Sequence, residues 1–254
     1  MKHLLKKSAV IAAALASLGS AQAAVITFES PALNSSGAVF APLISYGDEL
    51  VEAGFLVAGI SNAAGAGAGD LVGALVNGSD LAATCVGVVC PSNNATTFYA
   101  GVNDGYMYLA EQTDSNKPFT IAGFKASFLA NGVDPIPTVG GSGLLRIQGV
   151  KADGSGSLTQ TFTLAPGNAS GQLSFSSYLT TGAFATTQFK YAFIFGFYCD
   201  TTGACTNAFT NDKGQFAIDD INVSLAGAVP EPASWGLMGL GLAGMAAFVR
   251  RRRS

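Results

Sequence analysis

Short runs of alternating apolar and polar residues recur along residues 24–226, and glycine-, serine- and asparagine-rich turns separate them. Alternation with a period of two is typical of strands that bury one face. No long amphipathic helical pattern occurs in this part of the sequence. The pattern therefore predicts an all-β exported domain over residues 24–226, built as a two-sheet, jelly-roll-like β-sandwich.

Individual strands can be placed from the apolar runs and their flanking turns. The pattern predicts strands over residues 25–28, 54–60, 98–101, 106–110, 119–129, 144–151, 158–164 and 189–198. Asn103, Asp104 and Gly105 separate two of these runs and indicate a tight hairpin. Residues 61–80 are rich in glycine and alanine and are predicted to form a surface loop.

One predicted strand carries an aromatic residue at every second position. These residues are Phe189, Tyr191, Phe193, Phe195 and Phe197. On a regular strand they share one face, where exposed rings would form a platform for sugars. Because Ala192 and Ile194 lie between them, the pattern favours the other reading, in which the rings belong to the core. A glycan-binding face would then need other exposed rings, for instance Tyr99, Tyr106, Tyr108 and Tyr178.

The chain ends in a different pattern. Residues 233–249 form an uncharged run of 17 residues, close to the shortest helix that spans a membrane. Pro230, Glu231 and Pro232 precede this run and keep the chain extended, and four arginines follow it. The positive-inside rule places the arginines in the cytoplasm and the Pro-Glu-Pro segment outside. An ordinary tail anchor would have a similar composition.

These three parts, in this order at the C-terminus, resemble the PEP-CTERM sorting signal, which here covers residues 227–254. In that family, from Gram-negative bacteria that make exopolysaccharide, an exosortase recognises the tail and processes it near Pro-Glu-Pro. The resemblance implies an exosortase partner, a transient inner-membrane anchor, and a final location at the cell surface or outside the cell. The implied sorting residues are Pro230, Glu231, Pro232, Arg250, Arg251, Arg252 and Arg253.

The N-terminus also indicates export. Lys2, Lys6 and Lys7 precede an apolar stretch from Ser8 to Gly19, and Ala21-Gln22-Ala23 follows it. This order predicts a secretory signal peptide over residues 1–23, handled by the Sec translocon and signal peptidase. Cleavage is expected after Ala23, with the following bond as the alternative.

The last predicted strand, residues 214–225, changes its parity midway. One apolar set contains Phe216 and Ile218, and a second set of opposite parity contains Ile221, Val223 and Leu225. Both sets can face the core only if a residue is inserted between them. The change falls at Asp219 and Asp220, and it predicts a β-bulge that redirects one carboxylate.

A second carboxylate, Glu29, follows the first predicted strand. First and last strands are often neighbours in sandwiches, so Glu29 and Asp219 are expected to lie close together. With backbone carbonyls they are candidate ligands for a hard cation, of which calcium fits best. In the alternative reading, Asp219 and Asp220 provide only the polar side of the last strand and bind nothing.

Two short motifs in these strands resemble those of known families. Phe28-Glu29 with Ile218-Asp219-Asp220-Ile221 is similar to the opening and closing elements of carbohydrate-binding-module and MAM-like jelly rolls. Several of those domains hold a structural calcium between the two elements, so the resemblance implies the same site here. Gln215-Phe216-x-x-Asp219 resembles the motif of the QFxxD subgroup of PEP-CTERM proteins.

The four cysteines of the sequence form two close pairs, Cys85 with Cys90 and Cys199 with Cys205. An even number of cysteines in an oxidising compartment favours disulfides. Of the three pairings that four cysteines allow, the local one is favoured because each pair is close in sequence. Such short loops remove little chain entropy, so each disulfide is expected to fix a turn.

Charge and composition narrow the function of the exported part. Residues 24–229 hold six basic and fifteen acidic residues, a formal charge of −9, which disfavours nucleic acid or anionic lipid as a partner. The only histidine, His3, is lost with the signal peptide, so histidine-dependent catalysis and histidine zinc sites are excluded. Hydrolysis by a carboxylate pair stays open, but the pattern marks out no pair.

The sequence therefore predicts a non-catalytic surface or matrix protein, associated with exopolysaccharide or biofilm and without a certain cofactor. A carbohydrate-binding-module-like glycan binder is the first alternative. A polysaccharide-acting hydrolase is the second alternative, and it would require two convergent carboxylates in a groove.

Overall fold

The computed structural model describes residues 22–33, 43–132, 142–200, 202–207, 209 and 211–226. The chain divides into two units. The unit Ala23–Ser224 contains the β-sheet domain, and the other unit, Met1–Gln22 with Leu225–Ser254, is described only at residues 22, 225 and 226. The predicted sorting signal, with its helix over residues 233–249, lies outside the described residues, and so does the predicted signal peptide up to residue 21.

Fifteen strands account for most of the described chain. The first eight are β1 (Gln22–Ile26), β2 (Ala32–Leu33), β3 (Leu43–Ser45), β4 (Glu49–Glu52), β5 (Phe55–Ser61), β6 (Leu71–Asn77), β7 (Thr97–Gly101) and β8 (Gly105–Glu111). The other seven are β9 (Phe119–Phe128), β10 (Ser142–Lys151), β11 (Ser157–Thr163), β12 (Ser176–Leu179), β13 (Phe189–Cys199), β14 (Cys205–Asn207) and β15 (Phe216–Leu225).

Within the described ranges, helical structure is limited to short connections. These are α1 (Leu81–Thr84), α2 (Gly182–Thr186) and a 3₁₀ turn at Asp212–Gly214. None of the helices in the described ranges has the length and apolar character needed to cross a membrane. The prediction of an all-β domain is confirmed.

The strands form one curled antiparallel sheet. Its main path runs β2-β4-β5-β8-β13-β9-β15-β7-β6-β3, with β10 and β11 attached to β13, β12 to β9, and β1 to β15. A single residue pair, Phe189 opposite Phe119, connects β13 to β9. We call the strands from β2 to β13, with β10, β11 and β14, the front part of the sheet, and the strands from β9 to β3, with β1 and β12, the back part.

The front and back parts pack against each other through their apolar faces. A Cβ atom added to Gly59 of β5 would lie 2.7 Å from Cγ2 of Val72 in β6, so the backbones approach closely there. The largest core side chains come from both parts of the sheet. They include Phe28, Phe55, Phe98, Tyr99, Phe119, Phe189 and Phe216, each at most 1% exposed. The predicted proximity of first and last strands is present, because β1 pairs with β15.

The hairpin predicted around Asn103-Asp104-Gly105 is wrong. The turn exists, with the Gly105 N–H donating to the Val102 carbonyl at 2.9 Å, but β7 pairs with β6 and β15 whereas β8 pairs with β5 and β13. The turn therefore carries the chain from the back part of the sheet to the front part. Alternation identifies a strand but not its partner, which is why the sequence pattern misleads here.

The loop predicted over residues 61–80 is also partly wrong. Residues 62–70 form turns, but β6 follows, and its alternate residues Val72, Ala74 and Val76 are buried in the core. The side chains are small, so their alternation is less evident than the glycine and alanine content of the segment. The glycine and alanine content of the segment therefore indicates a loop where the chain forms a strand.

We expect Gly105→Ala to destabilise the fold by about 3 kcal/mol. A Cβ atom at this position would lie 1.9 Å from the backbone carbonyl oxygen of Val72, which cannot move aside as a side chain can. Gly67→Ala is the matched control, since its Cβ would meet only the Gly65 carbonyl oxygen, at 4.0 Å. Urea denaturation of both variants tests this prediction. Equal midpoints would contradict the close approach of Gly105 to the Val72 carbonyl oxygen.

Candidate functional site: an aromatic face on the front of the sheet

Strand β13 has its small apolar side chains in the core and its rings on the opposite side. Ala192 and Ile194 are fully buried, whereas Tyr191, Phe193 and Phe197 are partly exposed. The interpretation of these three rings as core residues is therefore wrong. Leu109, Met107 and Ile147 of the neighbouring strands lie opposite these two core residues, whereas Gly149, also opposite Ala192, leaves room for the Phe189 ring.

A β-bulge separates Phe189 from the rest of the aromatic series. Val150 lies opposite Tyr191, but the next residue of β10, Lys151, lies opposite Phe189, so Lys190 is an extra residue in β13. The insertion moves Phe189 to the core side, where it is completely buried, although it shares sequence parity with Tyr191. The rings therefore divide between two faces.

Strand β8 adds two tyrosines to the exposed side. Tyr108 lies opposite Phe193, with 5.7 Å between the ring centroids, and its ring is 5.6 Å from that of Tyr191. Tyr106 lies 5.9 Å from Phe193. We call this cluster the aromatic face, and its members are Tyr106, Tyr108, Tyr191, Phe193, Phe195 and Phe197.

One end of the aromatic face is covered by the chain itself. The ring of Phe209 packs on Phe195 at 4.8 Å and on Tyr106 at 5.4 Å, and Phe195 is only 4% exposed. The segment that carries Phe209 follows β14, which the Cys199–Cys205 disulfide joins to the end of β13. The disulfide at this end of β13 therefore restricts where Phe209 can lie.

Both disulfides have the locally paired arrangement. Cys85 is bonded to Cys90, and Cys199 is bonded to Cys205. The first closes the turn that follows α1, and the second closes the turn between β13 and β14. Each fixes a local connection, as the sequence spacing predicts.

A polar border runs beside the rings on β10 and β11. The guanidinium carbon of Arg146 lies 4.6 Å from the centroid of the Phe197 ring, and its Nε–H donates to Thr161 Oγ1 at 3.0 Å. Gln148 donates through Nε2 to Ser157 Oγ at 3.2 Å. These groups place hydrogen-bonding side chains next to partly exposed rings.

Tyr106 and Tyr108 of the aromatic face are neutral at physiological pH. Burial is the main cause that raises the pKa of Tyr106 and of Tyr108 above the ordinary value. Neighbouring groups add to the effect, Tyr46 and Asp104 for Tyr106, and Tyr191 and Glu49 for Tyr108. Each phenol therefore keeps its proton and is able to donate a hydrogen bond.

The tyrosines that the sequence suggests for a platform do not lie together. Tyr99 is fully buried in the core, and Tyr178 lies on β12 in the back part, stacked on Phe124 at 5.6 Å. Only Tyr106 and Tyr108 belong to the aromatic face. The signal that identifies them is the alternation with Met107 and Leu109, which are both completely buried.

The acidic residues predicted as metal ligands meet one short segment. Asp219 is completely buried, and its Oδ2 accepts hydrogen bonds from Asn94 Nδ2 at 2.8 Å and from Thr96 Oγ1 at 3.0 Å. Glu29 Oε1 accepts from the backbone N–H of Thr97 at 2.7 Å. The fold thus brings both carboxylates to adjacent residues at the start of β7.

Local backbone geometry accounts for the positions of both carboxylates. Asp220 has a positive φ of 49°, and the buried set of β15 changes there from Ile218 to Ile221, as the parity of the sequence predicts. Near Glu29, Phe28 has a φ of 58°, and the Glu52 carboxylate accepts its backbone N–H at 2.7 Å. Sequence reasoning missed the role of Glu52.

The groups around Asp219 have the oxygen chemistry that calcium prefers. Asn94 and Thr96 each carry an oxygen as well as a hydrogen-bond donor, so they can turn an acceptor toward a cation that the two carboxylates bind. The described residues contain no group of three or more acidic, histidine or cysteine side chains arranged for a metal. A calcium ion here would therefore need carbonyl or water oxygens to complete its six to eight ligands.

A lysine lies beside the adjacent residues Asp219 and Asp220. Lys125 Nζ is 2.7 Å from Asp220 Oδ2, and this hydrogen bond and the charge of Asp220 raise the pKa of Lys125. Both side chains are substantially exposed, so solvent weakens the interaction. Asp220 is thus engaged on the surface, and Asp219 is the buried member of the pair.

By its architecture, the protein is a curled antiparallel β-sheet domain with a partly exposed aromatic face. Comparison with known proteins adds the C-terminal signal: a model of the PEP-CTERM protein-sorting motif matches residues 228–253. The motif implies export with a transient membrane anchor and an exosortase as the processing partner. No curated protein matches the sequence.

Several solved structures are similar to the chain at low identity. A DUF4465 family protein from Bacteroides caccae is 12% identical with a TM-score of 0.45, covering 80% of this chain and 98% of that one. A DUF4465 family protein from Bacteroides ovatus is 12% identical with a TM-score of 0.47, covering 80% and 99%. The C-terminal family 22 carbohydrate-binding module of Clostridium thermocellum Xyn10B is 14% identical with a TM-score of 0.27, covering 81% and 95%.

Burial of Asp219 predicts a specific pH dependence of stability in calcium-free buffer. Burial raises its pKa to about 6, so the folded protein holds this proton at pH values where the unfolded chain has released it. The free energy of unfolding should therefore fall as the pH rises from about 4 to about 6. The loss is on the order of 2 kcal/mol.

Asp219→Asn should lack this component, because an amide does not titrate. Urea denaturation of both proteins in EDTA at several pH values measures the difference in slope. Parallel curves for the two proteins would show that Asp219 is not the buried acid that the structure describes.

Proposed function

We propose that this protein is an exported, non-catalytic surface or matrix protein that an exosortase processes at its C-terminal signal and that associates with exopolysaccharide. The match to the PEP-CTERM protein-sorting motif at residues 228–253 carries the sorting part of the proposal. The two disulfides support an oxidising location outside the cytoplasm. Pro230, Glu231 and Pro232 are the proposed recognition residues, and Arg250–Arg253 orient the tail in the membrane.

The aromatic face favours a second candidate function, the binding of glycan by the exported domain. Contiguous partly exposed rings on a soluble domain commonly mark an interaction site. The apolar C–H faces of a pyranose ring would cover Tyr108 and Phe193, and neutral phenols would donate to its hydroxyl groups. Gln148 and Arg146 at the border add further donors next to the same rings. Non-catalytic recognition needs no more than such a surface.

Mass spectrometry of cell fractions tests the sorting proposal. In cells with exosortase, we expect the surface and secreted fractions to contain a chain that ends near Pro230-Glu231-Pro232. Without the enzyme, or after Glu231→Ala, the full-length chain should accumulate in the membrane. An intact, membrane-held tail in wild-type cells would refute processing.

Affinity electrophoresis of the full-length protein in mild detergent, against the polysaccharide of the producing cells, tests glycan binding. Phe193→Ala should lower the affinity obtained from the retardation about tenfold or more, as expected for loss of a central aromatic contact. Tyr178→Ala is the control, since it removes a ring from the back part of the sheet. Thermal melting of each variant confirms folding, and equal retardation of all three proteins would argue against the aromatic face as the binding site.

Calcium binding by Glu29 and Asp219 remains a proposal, supported by their contacts with two adjacent residues, Asp219 with Thr96 and Glu29 with Thr97. Calcium should raise the Tm of the wild-type protein, because a ligand bound only by the folded state stabilises it. Asp219→Asn should abolish that rise. Absence of binding by calorimetry, or an unchanged calcium-dependent Tm in the variant, would leave the acidic pair without a metal role.

A further inference from the structure

The aromatic face has a cation near each end, and neither is paired with a carboxylate. The Arg146 guanidinium lies over the Phe197 ring, and Lys190 Nζ lies 5.6 Å from the centroid of Tyr191. The salt bridges identified in the described part of the chain involve neither residue. Positive charge is therefore held against the rings, where it is available to a ligand on the face.

Arg146 has more donors than its protein contacts use. A guanidinium carries five N–H groups, and here the Nε–H donates to Thr161 Oγ1. No described residue accepts from its terminal nitrogens. Stacking on Phe197 and the bond to Thr161 hold the planar group in place, so its remaining edge is preorganised to bind a carboxylate through two hydrogen bonds.

The position of Arg146 suits a sugar that lies on the rings. Gln148 is directly opposite Phe193, and Arg146 is two residues further along the same strand, about 6.6 Å away. A pyranose stacked on Phe193 would thus present its substituents, or those of the next sugar, within reach of the guanidinium.

The positive charge beside the aromatic face is local and is not shared by the exported part as a whole. The exported part of the sequence is strongly acidic, and Glu49, on the same side of the sheet, is four strands away from Arg146, about 19 Å. This separation exceeds the Debye length of about 8 Å at physiological salt. Glu49 therefore does not cancel the charge of Arg146, while the net negative charge of the exported part disfavours polyanions in general. Binding of a polyanion requires contact with the rings and with Arg146 together.

We propose that the aromatic face selects acidic glycans that carry carboxylated sugar residues, and that Arg146 determines this selectivity. The proposal rests on the proposed glycan binding and specifies the class of ligand. Arg146 binds the carboxylate, the rings bind the sugar, and Lys190 provides a second positive group on the Tyr191 side.

Calorimetry with the full-length protein, using oligogalacturonate and the same oligomer with its carboxyl groups methyl-esterified, tests the proposal. Esterification removes the charge of the carboxyl groups but preserves the sugar rings of the oligomer. The wild-type protein should bind the acid at least tenfold more tightly than the ester, as expected for a charge-assisted bidentate contact. Arg146→Gln should lose most of this preference, with Lys190 supplying what is left, and Arg146→Lys should retain a larger part of it.

Lys151→Gln is the matched control, because it makes the same change in net charge at the end of the same strand, opposite Phe189. It should keep the wild-type preference, and unchanged melting temperatures should confirm that each variant is folded. Equal affinity of the wild-type protein for acid and ester would overturn the role of Arg146 and leave glycan binding intact. Equally tight binding of polyglutamate would also overturn it, since that polymer has charge without sugar rings.

Failure of the proposed function gives a different result. If the wild-type protein binds neither oligomer and no polysaccharide of the producing cells, both the glycan-binding proposal and the selectivity inferred from it are wrong. Binding of the ester that Phe193→Ala abolishes would support the aromatic face while contradicting selectivity for acid.

Discussion

The division of strand β13 into two faces is the constraint on which the rest of the structure depends. Its small residues, Ala192 and Ile194, allow the front and back parts of the sheet to approach, while its rings remain on the side away from the core. Ala192 and Ile194 leave room for the large rings that lie in the core, such as Phe55 and Phe189, because interiors are close-packed. The aromatic positions of β13 from Tyr191 onward therefore lie on the side away from the core.

The bulge at Lys190 completes this division. It places Phe189 in the core beside Phe184, with ring centroids 4.7 Å apart, and leaves Tyr191 on the aromatic face. The same insertion frees Lys190 from a regular pairing position, next to the Tyr191 ring. One extra residue therefore supplies both a core side chain and a cation for the exposed side.

The sequence predicts the all-β class, most strand positions, the parity change at Asp219 and both disulfides, because each of these depends on residues that are close along the chain. It does not predict that β7 and β8 lie in different parts of the sheet, since strand pairing depends on distant segments. It also assigns Tyr191 and Phe193 to the wrong face. Alternation shows that residues share a side, but only burial of the neighbours Met107 and Leu109 shows which side is the core.

Hydroxyl-radical footprinting of the full-length protein shows directly whether the exported domain binds glycan through the aromatic face. We expect Tyr108, Tyr191 and Phe193 to react in the free protein and to become protected when acidic polysaccharide is added, while Tyr178 reacts equally in both states. Rings that are already protected without ligand, or that react unchanged when polysaccharide is bound, would contradict it.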